Sequence, residues 1–280
     1  MKPNESISKG SETYGEKELI STIDRLVSKV GAPGMTSETL RSLDQFHAGG
    51  AEAVTRVQDT LALSTWDAVL DVGSGFGGPA RQIAVSSGCR VVGVDITPAY
   101  VDVAIELTQR CGLSDRVRFV LADIAEFEPG VRFDAGFTMH VQMNVEAKRS
   151  WFGDIARRLK PGARFAVWEV CRRSDAELSW PLPWSMDGSD SHVVTPGELS
   201  DAICGAGFEM TEWVDETQWV NTWFESTDAA GPAADPTLPM ILDDGFTRVL
   251  NFAGALSDGT LEVWRGAFVR SSPESAMPLS

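Results

Sequence analysis

Residues 69–84 read VLDVGSGFGGPARQIA, and the order of residue types in this stretch decides the fold class. An apolar run of Val69, Leu70 and Val72 breaks into Gly73, Gly75, Gly77 and Gly78, and Pro79 opens a segment with helical spacing. This succession is a buried strand, a tight turn and a helix start, with proline at the first helical position, where its missing N–H costs nothing. Glycine tolerates positive φ and lets a ligand approach the backbone closely. Gly73, Gly75 and Gly78 also satisfy the G-x-G-x-x-G spacing of nucleotide-binding turns. Asp71 stands two positions before the first glycine, at the carboxyl end of the strand. A carboxylate there repels the pyrophosphate of a nicotinamide or flavin dinucleotide and welcomes a ligand carrying an ammonium group.

Working outward, the same alternation recurs. RVVGVD (Arg90–Asp95) and RVRFVLAD (residues 116–123) are apolar strands ending in acids, and FDAGFTM (Phe133–Met139) is a fourth strand. LKPG (residues 159–162) then turns into RFAVWEV (residues 164–170). From Ala68 to Val170 the chain resembles the class I S-adenosylmethionine-dependent methyltransferases, whose first motif has this acidic-x-Gly-x-Gly-x-Gly form. The resemblance implies an α/β, Rossmann-like fold. Its seven-stranded sheet has the order 3-2-1-4-5-7-6 with the last strand antiparallel, N-terminal helices and a helical, aromatic lid.

The same resemblance implies S-adenosyl-L-methionine as cofactor, bound outside the carboxyl ends of the strands at the topological switch point. Its ammonium and carboxylate are expected at Asp71 and at the backbone of Gly73, Gly75 and the residues after strand four, beside Met139. Its ribose hydroxyls are expected at Asp95, and its adenine between Ile96 and Ile124, with Asp123 accepting from the exocyclic amine. Asp95 ahead of Thr97-Pro98, and Asp123 at a strand end, also suit plain turn formation. GGPAR, LKPG and the helical additions are similar to the branch acting on small molecules, among them glycine- and sarcosine-type N-methyltransferases, quinone C-methyltransferases and natural-product methyltransferases. Ser74 stands where that branch commonly has Cys, and Ala163 where it has a further Gly. No motif separates transfer to N, O or C.

For the acceptor side, His140 in TMHVQMN follows strand four, where the family presents residues to the methyl group. A histidine suits a general base near neutrality, and equally a loop-orienting hydrogen bond. Glu169 alternates into an apolar face with Phe165, Val167 and Cys171, so it is paired, protonated or functional. Arg172 and Arg173 are its pairing candidates, and a cationic acceptor or carbocation is the functional one. Gln142 and Asn144 offer hydrogen bonds to an acceptor, or Asn144 caps a helix over residues 145–159. Trp180 and Trp184 lie in a proline-interrupted insertion that suits an apolar or cationic small molecule. Among Gln45, Phe46 and His47, either the cofactor's methionine moiety or the acceptor is met, or Phe46 is core and His47 a solvent-facing loop residue. A cofactor-dependent cyclase or isomerase without net methyl transfer, and a cofactor-binding regulatory subunit, fit the same motifs.

The chain of 280 residues accommodates one such α/β domain with additions. Residues 1–13 and 271–280 read as tails, 14–64 as an N-terminal helical cap, 65–171 as the cofactor-binding core, 172–258 as an acceptor lid with a core helix and strand, and 259–270 as the last strand. Helices are expected over 16–30, 51–63, from Thr195 (with Glu198 completing a capping box) to 206, and around 240–256. A net charge of −16 opposes nucleic-acid partners. Cys89, Cys111, Cys171 and Cys204 show neither C-x-x-C nor zinc-like spacing, so no metal site is expected and reduced, cytoplasmic thiols are. No run approaches membrane-spanning length, which leaves a soluble protein with a small-molecule partner as the expectation.

Overall fold

The computed structural model describes residues 35–173, 175–229 and 243–272, with Ser21, Asp24 and Pro239. The helix expected over 16–30, the tail 1–13 and all but the first two residues of the tail 271–280 therefore lie outside the described residues, apart from Ser21 and Asp24. In chain order the elements are α1 (Gly50–Leu61), β1 (Ala68–Val72), α2 (Gly78–Ser87), β2 (Arg90–Asp95), α3 (Pro98–Arg110), β3 (Val117–Leu121) and β4 (Phe133–Met139). A 3-10 turn (Gln142–Asn144) leads to α4 (Lys148–Arg158), β5 (Leu159–Arg172), α5 (Pro196–Gly205), β6 (Phe208–Asp215), α6 (Thr217–Ala229), α7 (Gly245–Ser257) and β7 (Leu261–Arg270).

The sheet has the order β3-β2-β1-β4-β5-β7-β6. β1 pairs in parallel with β2 and β4, and β7 runs antiparallel between β5 and β6, as the resemblance implied. Helices cover both faces, so β1 and β4 are apolar almost throughout rather than alternating. Leu70, Phe133, Phe165 and Val167 pack on one side, and Val69, Ala135, Phe137 and Trp168 on the other. The chain leaves β1 toward β2 on one side and returns at β4 on the other. That reversal opens a crevice beyond the carboxyl ends of β1 and β4.

Several boundaries differ from the sequence reading for local reasons. The helix expected from residue 145 starts at Lys148, because residues 142–144 form the 3-10 turn, and Asn144 does not cap it. That helix stops at Arg158: Leu159 is already extended, and the residue before Pro161 is pushed from helical geometry. α1 ends at Leu61 with Ala62 left-handed at φ 42°. α7 starts at Gly245 behind Asp244 at φ 51°, and residues 240–242 lie outside the described residues. The capping box forms: Glu198 N–H donates to Thr195 Oγ1 (3.3 Å), and Thr195 N–H to Glu198 Oε2 (2.9 Å).

Candidate active site

The turn after β1 is tied to β2, since Gly73 and Ser74 N–H both donate to the Val94 carbonyl (2.8 and 3.2 Å). Gly73, Gly75 and Gly77 have φ of 76°, 51° and 77°. A Cβ at Gly73 would lie 2.4 Å from Val141 Cγ2, and one at Gly77 2.2 Å from Phe119 Cζ. These two glycines thus make room for side chains of the protein itself. Gly75 faces the edge of the Phe46 ring, 3.3 Å from where a Cβ would stand. Its N–H donates to Asp95 Oδ2 (2.9 Å), while Asp95 Oδ1 accepts from Thr97 N–H (2.9 Å). The amides of Gly73 and Gly75, expected to meet the cofactor's carboxylate, are therefore already engaged, and Asp95 organises the turn.

Asp71 is buried at the end of β1, and its Oδ2 has no partner. Burial first, then the charge of Asp95, pushes its carboxyl well above the usual range, against the pull of Arg81. An ammonium group in the crevice would supply the missing donor and counter-charge, so this site fits the cationic amino end of S-adenosylmethionine. Ile96 is 53% exposed beside Asp95 and offers an apolar face to a base. Ile124, expected on the other side of the base, is buried. β3 ends at Leu121, the exposed Asp123 caps the following turn through Ala125 N–H (2.9 Å), and Ile124 folds into the core with Val92 and Phe127. Met139 is buried at the end of β4.

A segment preceding α1 is pinned over this turn. Arg81, fully buried on α2, donates from Nη2 to Asp44 Oδ2 (2.8 Å) and the Phe76 carbonyl (2.6 Å). From Nη1 it reaches Thr108 Oγ1 (2.9 Å) and the Ala104 carbonyl (3.3 Å). Burial pushes Asp44 up to about 6 against the opposing charge of Arg81. Gly78 makes room for this: a Cβ there would lie 2.2 Å from the Asp44 carbonyl oxygen. With Asp44 held, Phe46 packs edge-on against Phe76 (4.5 Å) and stacks on Tyr100 (5.6 Å). The Trp168 indole N–H donates to the Ala48 carbonyl (3.0 Å) and pins the segment's other end.

On the far side of the crevice stands His140, left-handed at φ 55°, a conformation that non-glycine residues hold only where the surroundings enforce it. Its backbone N–H donates to the Trp168 carbonyl (2.8 Å), and its buried Nε2 has no partner. The ring lies 6.2 Å from that of His47 and 5.9 Å from that of Phe252. His47 is buried, against the solvent-facing alternative, because the tie of its neighbour Ala48 to Trp168 draws the segment inward; its Nε2 lies 3.0 Å from the Gly50 carbonyl. Burial lowers His47 to about 4 and His140 well below its usual value, so both rings are neutral at neutral pH.

Glu169, fully buried, turns its Oε2 toward the same turn, accepting from Val141 N–H (2.9 Å) and Gln142 N–H (3.3 Å). Burial pushes it up to about 8 in spite of these donors. Its donors are thus backbone amides, and Arg173 is paired with Glu262 instead (2.5 Å). Gln142 is buried and donates to the Val170 carbonyl (2.5 Å), whereas Asn144 is exposed. Trp184 donates to Ser191 Oγ (2.9 Å) and sets its ring 5.9 Å from Phe252. Phe224 meets Phe252 from another side (6.2 Å). Trp180 packs over Gly188, so of the two insertion tryptophans only Trp184 joins the ring cluster that contains His140.

Sequence reading missed Phe252, the hub of this cluster, and the Asp44–Arg81 pair. The signal for Phe252 was its place on the apolar stripe of α7, which also marks ordinary core. Among the described residues no group of three or more His, Cys, Asp or Glu is placed to hold a metal, and no helix is long and apolar enough to cross a membrane.

Residues 64–221 match the family described as methyltransferase domain. The chain belongs to that family. The chain is 37% identical over 155 residues to a sterol 24-C-methyltransferase of Eremothecium gossypii, covering 53% of this chain and 42% of that protein. The chain thus spans under half the length of that curated relative. Among solved structures it resembles the [4+2]-cyclase SpnF, with TM-score 0.65 and 22% identity over 90% of this chain and 93% of that one. It also resembles a geranyl diphosphate C-methyltransferase from Streptomyces coelicolor A3(2), with TM-score 0.65 and 18% identity over 91% and 81%. At these identities the two structures show the fold alone.

Proposed function

We propose that this chain is an S-adenosylmethionine-dependent methyltransferase acting on a small-molecule acceptor. The observation that carries the reading is the buried Asp71 carboxyl at the sheet's switch point, whose Oδ2 lacks a partner, in a chain of the methyltransferase domain family. When bound, the cofactor supplies a methyl group already activated on a sulfonium, so the protein's task is proximity and orientation. Asp71 holds the ammonium end, Asp95 keeps the glycine turn open and meets the ribose, and Ile96 with Asp123 faces the base. Phe46 closes over Gly75. The described parts of the cap (residues 35–64) and of the lid (residues 175–229 and 243–258) flank the crevice formed by the core (residues 65–171) and shut water out of it.

His140 is the base of this reading. Its neutral ring and partnerless Nε2 sit in a wall of Phe252, His47 and, behind Phe252, Trp184 and Phe224, ready to take a proton from the acceptor. Glu169 acts as a brace: its carboxyl fixes Val141 and Gln142, and through them the left-handed turn that aims His140. An aromatic wall selects acceptors that are apolar or cationic at the reacting end, by area burial and cation–π attraction. Natural products are within that class, and four free cysteines suit the reducing cytoplasm.

Methyl transfer is preferred over cyclisation because the similarity at the level of sequence is to methyltransferases, whereas the likeness to a cyclase is one of fold. Calorimetric titration with S-adenosylhomocysteine tests the cofactor, with binding expected and lost in Asp71→Leu. Incubation with methyl-labelled cofactor and metabolite pools, read by mass spectrometry, tests the reaction. A product heavier by one methylene unit is expected, and a product of unchanged mass overturns transfer in favour of rearrangement.

A further inference from the structure

The buried arginines Arg81, Arg158 and Arg248 are matched by carboxylates in two cases. Arg81 meets Asp44, and Arg158 meets Glu128 (3.1 Å) and Asp154 (3.9 Å). Arg248 is 7% exposed and makes no side-chain hydrogen bond or ion pair among the described residues, and its Nε is buried without a partner. The nearest acid in sequence with a described bond, Asp244, takes the Thr247 hydroxyl on its side chain and the Arg248 N–H on its carbonyl. A guanidinium cannot shed its proton, and a buried charge left unpaired is strongly unfavourable. Among the described residues nothing supplies its counter-charge, which leaves that place to a ligand.

The helix says where that counter-charge sits. The buried face of α7 consists of Gly245, Arg248, Phe252, Ala255 and Leu256, so Arg248 is the one polar side chain on it. Phe252, one turn on, touches His140, Trp184 and Phe224, which turns this face toward the crevice. In the other direction the Arg248 charge is felt at the Tyr100 hydroxyl, which also feels Asp95 and whose ring carries Phe46. Arg248 thus lies one helical turn from the ring that meets His140, on the buried face of α7. The crevice also lacks a committed anion site in the glycine turn, because the Gly73 and Gly75 amides are spent on Val94 and Asp95.

We infer that Arg248 anchors an anionic oxygen group, a carboxylate or phosphate, on a molecule bound in the crevice. Two molecules could carry it: the cofactor through its amino-acid tail, a source that rests on the function proposed above, or an acidic acceptor. The planar fork of arginine matches either group through paired N–H donors. Because the anchor has no partner among the described residues, it acts when the ligand arrives.

The test compares the full chain with Arg248→Gln, Arg248→Lys and Arg248→Met. Calorimetry measures S-adenosylhomocysteine and its decarboxylated analogue, and thermal shift measures inorganic phosphate and acetate added to the protein both without and with saturating S-adenosylhomocysteine. If the cofactor is the source, Arg248→Gln weakens S-adenosylhomocysteine roughly 10- to 100-fold, Arg248→Lys restores part, and the decarboxylated analogue binds all forms alike. If an acceptor is the source, S-adenosylhomocysteine binds all forms alike, while phosphate or acetate stabilises the unmutated protein and not Arg248→Gln. Unchanged responses to cofactor and to anions overturn the inference. So does a lowered unfolding temperature of ligand-free Arg248→Met, since removing a charge that lacks a partner should leave that temperature equal or higher. Failure of the unmutated chain to bind S-adenosylhomocysteine would count against the proposed function, and the anion measurement on the same protein would still decide Arg248.

Discussion

Replacing Asp44 by Asn tests the tie between the N-terminal segment and the glycine turn. The Asp44–Arg81 pair is fully buried at 2.8 Å, and Arg81 places its remaining donors on Phe76, Ala104 and Thr108. Asp44→Asn leaves a guanidinium in the interior with no counter-charge, a loss of about 3–5 kcal/mol. For a chain of this size that lowers the unfolding midpoint by roughly 6–20 °C. Arg81→Met should cost a similar amount, and in a pH-dependent way. Burial already raises Asp44 to about 6 with Arg81 lowering it, so without Arg81 the carboxyl rises further. The cost is then largest near pH 8, where the lone carboxyl must take up a proton to stay buried, and smaller near pH 5, where it is protonated anyway. The double variant Asp44→Leu/Arg81→Met should recover much of the loss, retaining a deficit of about 1–3 kcal/mol for the carbonyls left without donors. Phe46 rests on this segment, so each single variant should also weaken S-adenosylhomocysteine. Urea unfolding of the four proteins at both pH values, with calorimetry alongside, measures all of this. Single variants within about 1 kcal/mol of the parent, or a double variant equal to the sum of the singles, would refute the reasoning.

Gly73→Ala combines a φ of 76° with a Cβ 2.4 Å from Val141, so it should destabilise by about 2–5 kcal/mol and displace the His140 turn, visible as lost cofactor affinity; wild-type affinity would show that the turn yields. His140→Ala should lower turnover roughly 10²- to 10⁴-fold with cofactor affinity kept, whereas Glu169→Gln, which retains an acceptor for the Val141 and Gln142 amides, should keep most of the turnover; equal losses in both would make Glu169 more than a brace. His47 stays neutral in the fold down to about 4 while the unfolded chain protonates it from 6.5, so the unfolded state binds more protons as pH falls. Stability should be full above about pH 6.5 and decline toward pH 4, by about 3 kcal/mol from this residue. Denaturation across that range should show a shallower decline in His47→Gln, and an identical one would mean that His47 is solvated.

The strand, turn and helix of residues 69–84 were legible in sequence because each is encoded locally: apolar residues for a strand covered on both faces, glycines for positive φ, proline for the helix start. The same holds for the acids at strand ends, since a strand's carboxyl end is written in the chain, and for the strand order, which follows once these elements place the chain in its family. Tertiary structure alone decided what each group meets. Gly73 admits Val141 and Gly77 admits Phe119, contacts between elements far apart in sequence, so the glycines that read as ligand space also serve packing. Glu169 found backbone amides of another strand's turn rather than its neighbouring arginines, and His47 was buried by a tie to Trp168. Arg248 sits on an apolar stripe of a helix, and no local pattern tells whether such an arginine has a carboxylate across from it. Sequence determines backbone preference over a few residues at a time. Whether a buried polar group is paired depends on which distant atoms the packing brings within about 3 Å of it, and that distance exists only in the folded chain.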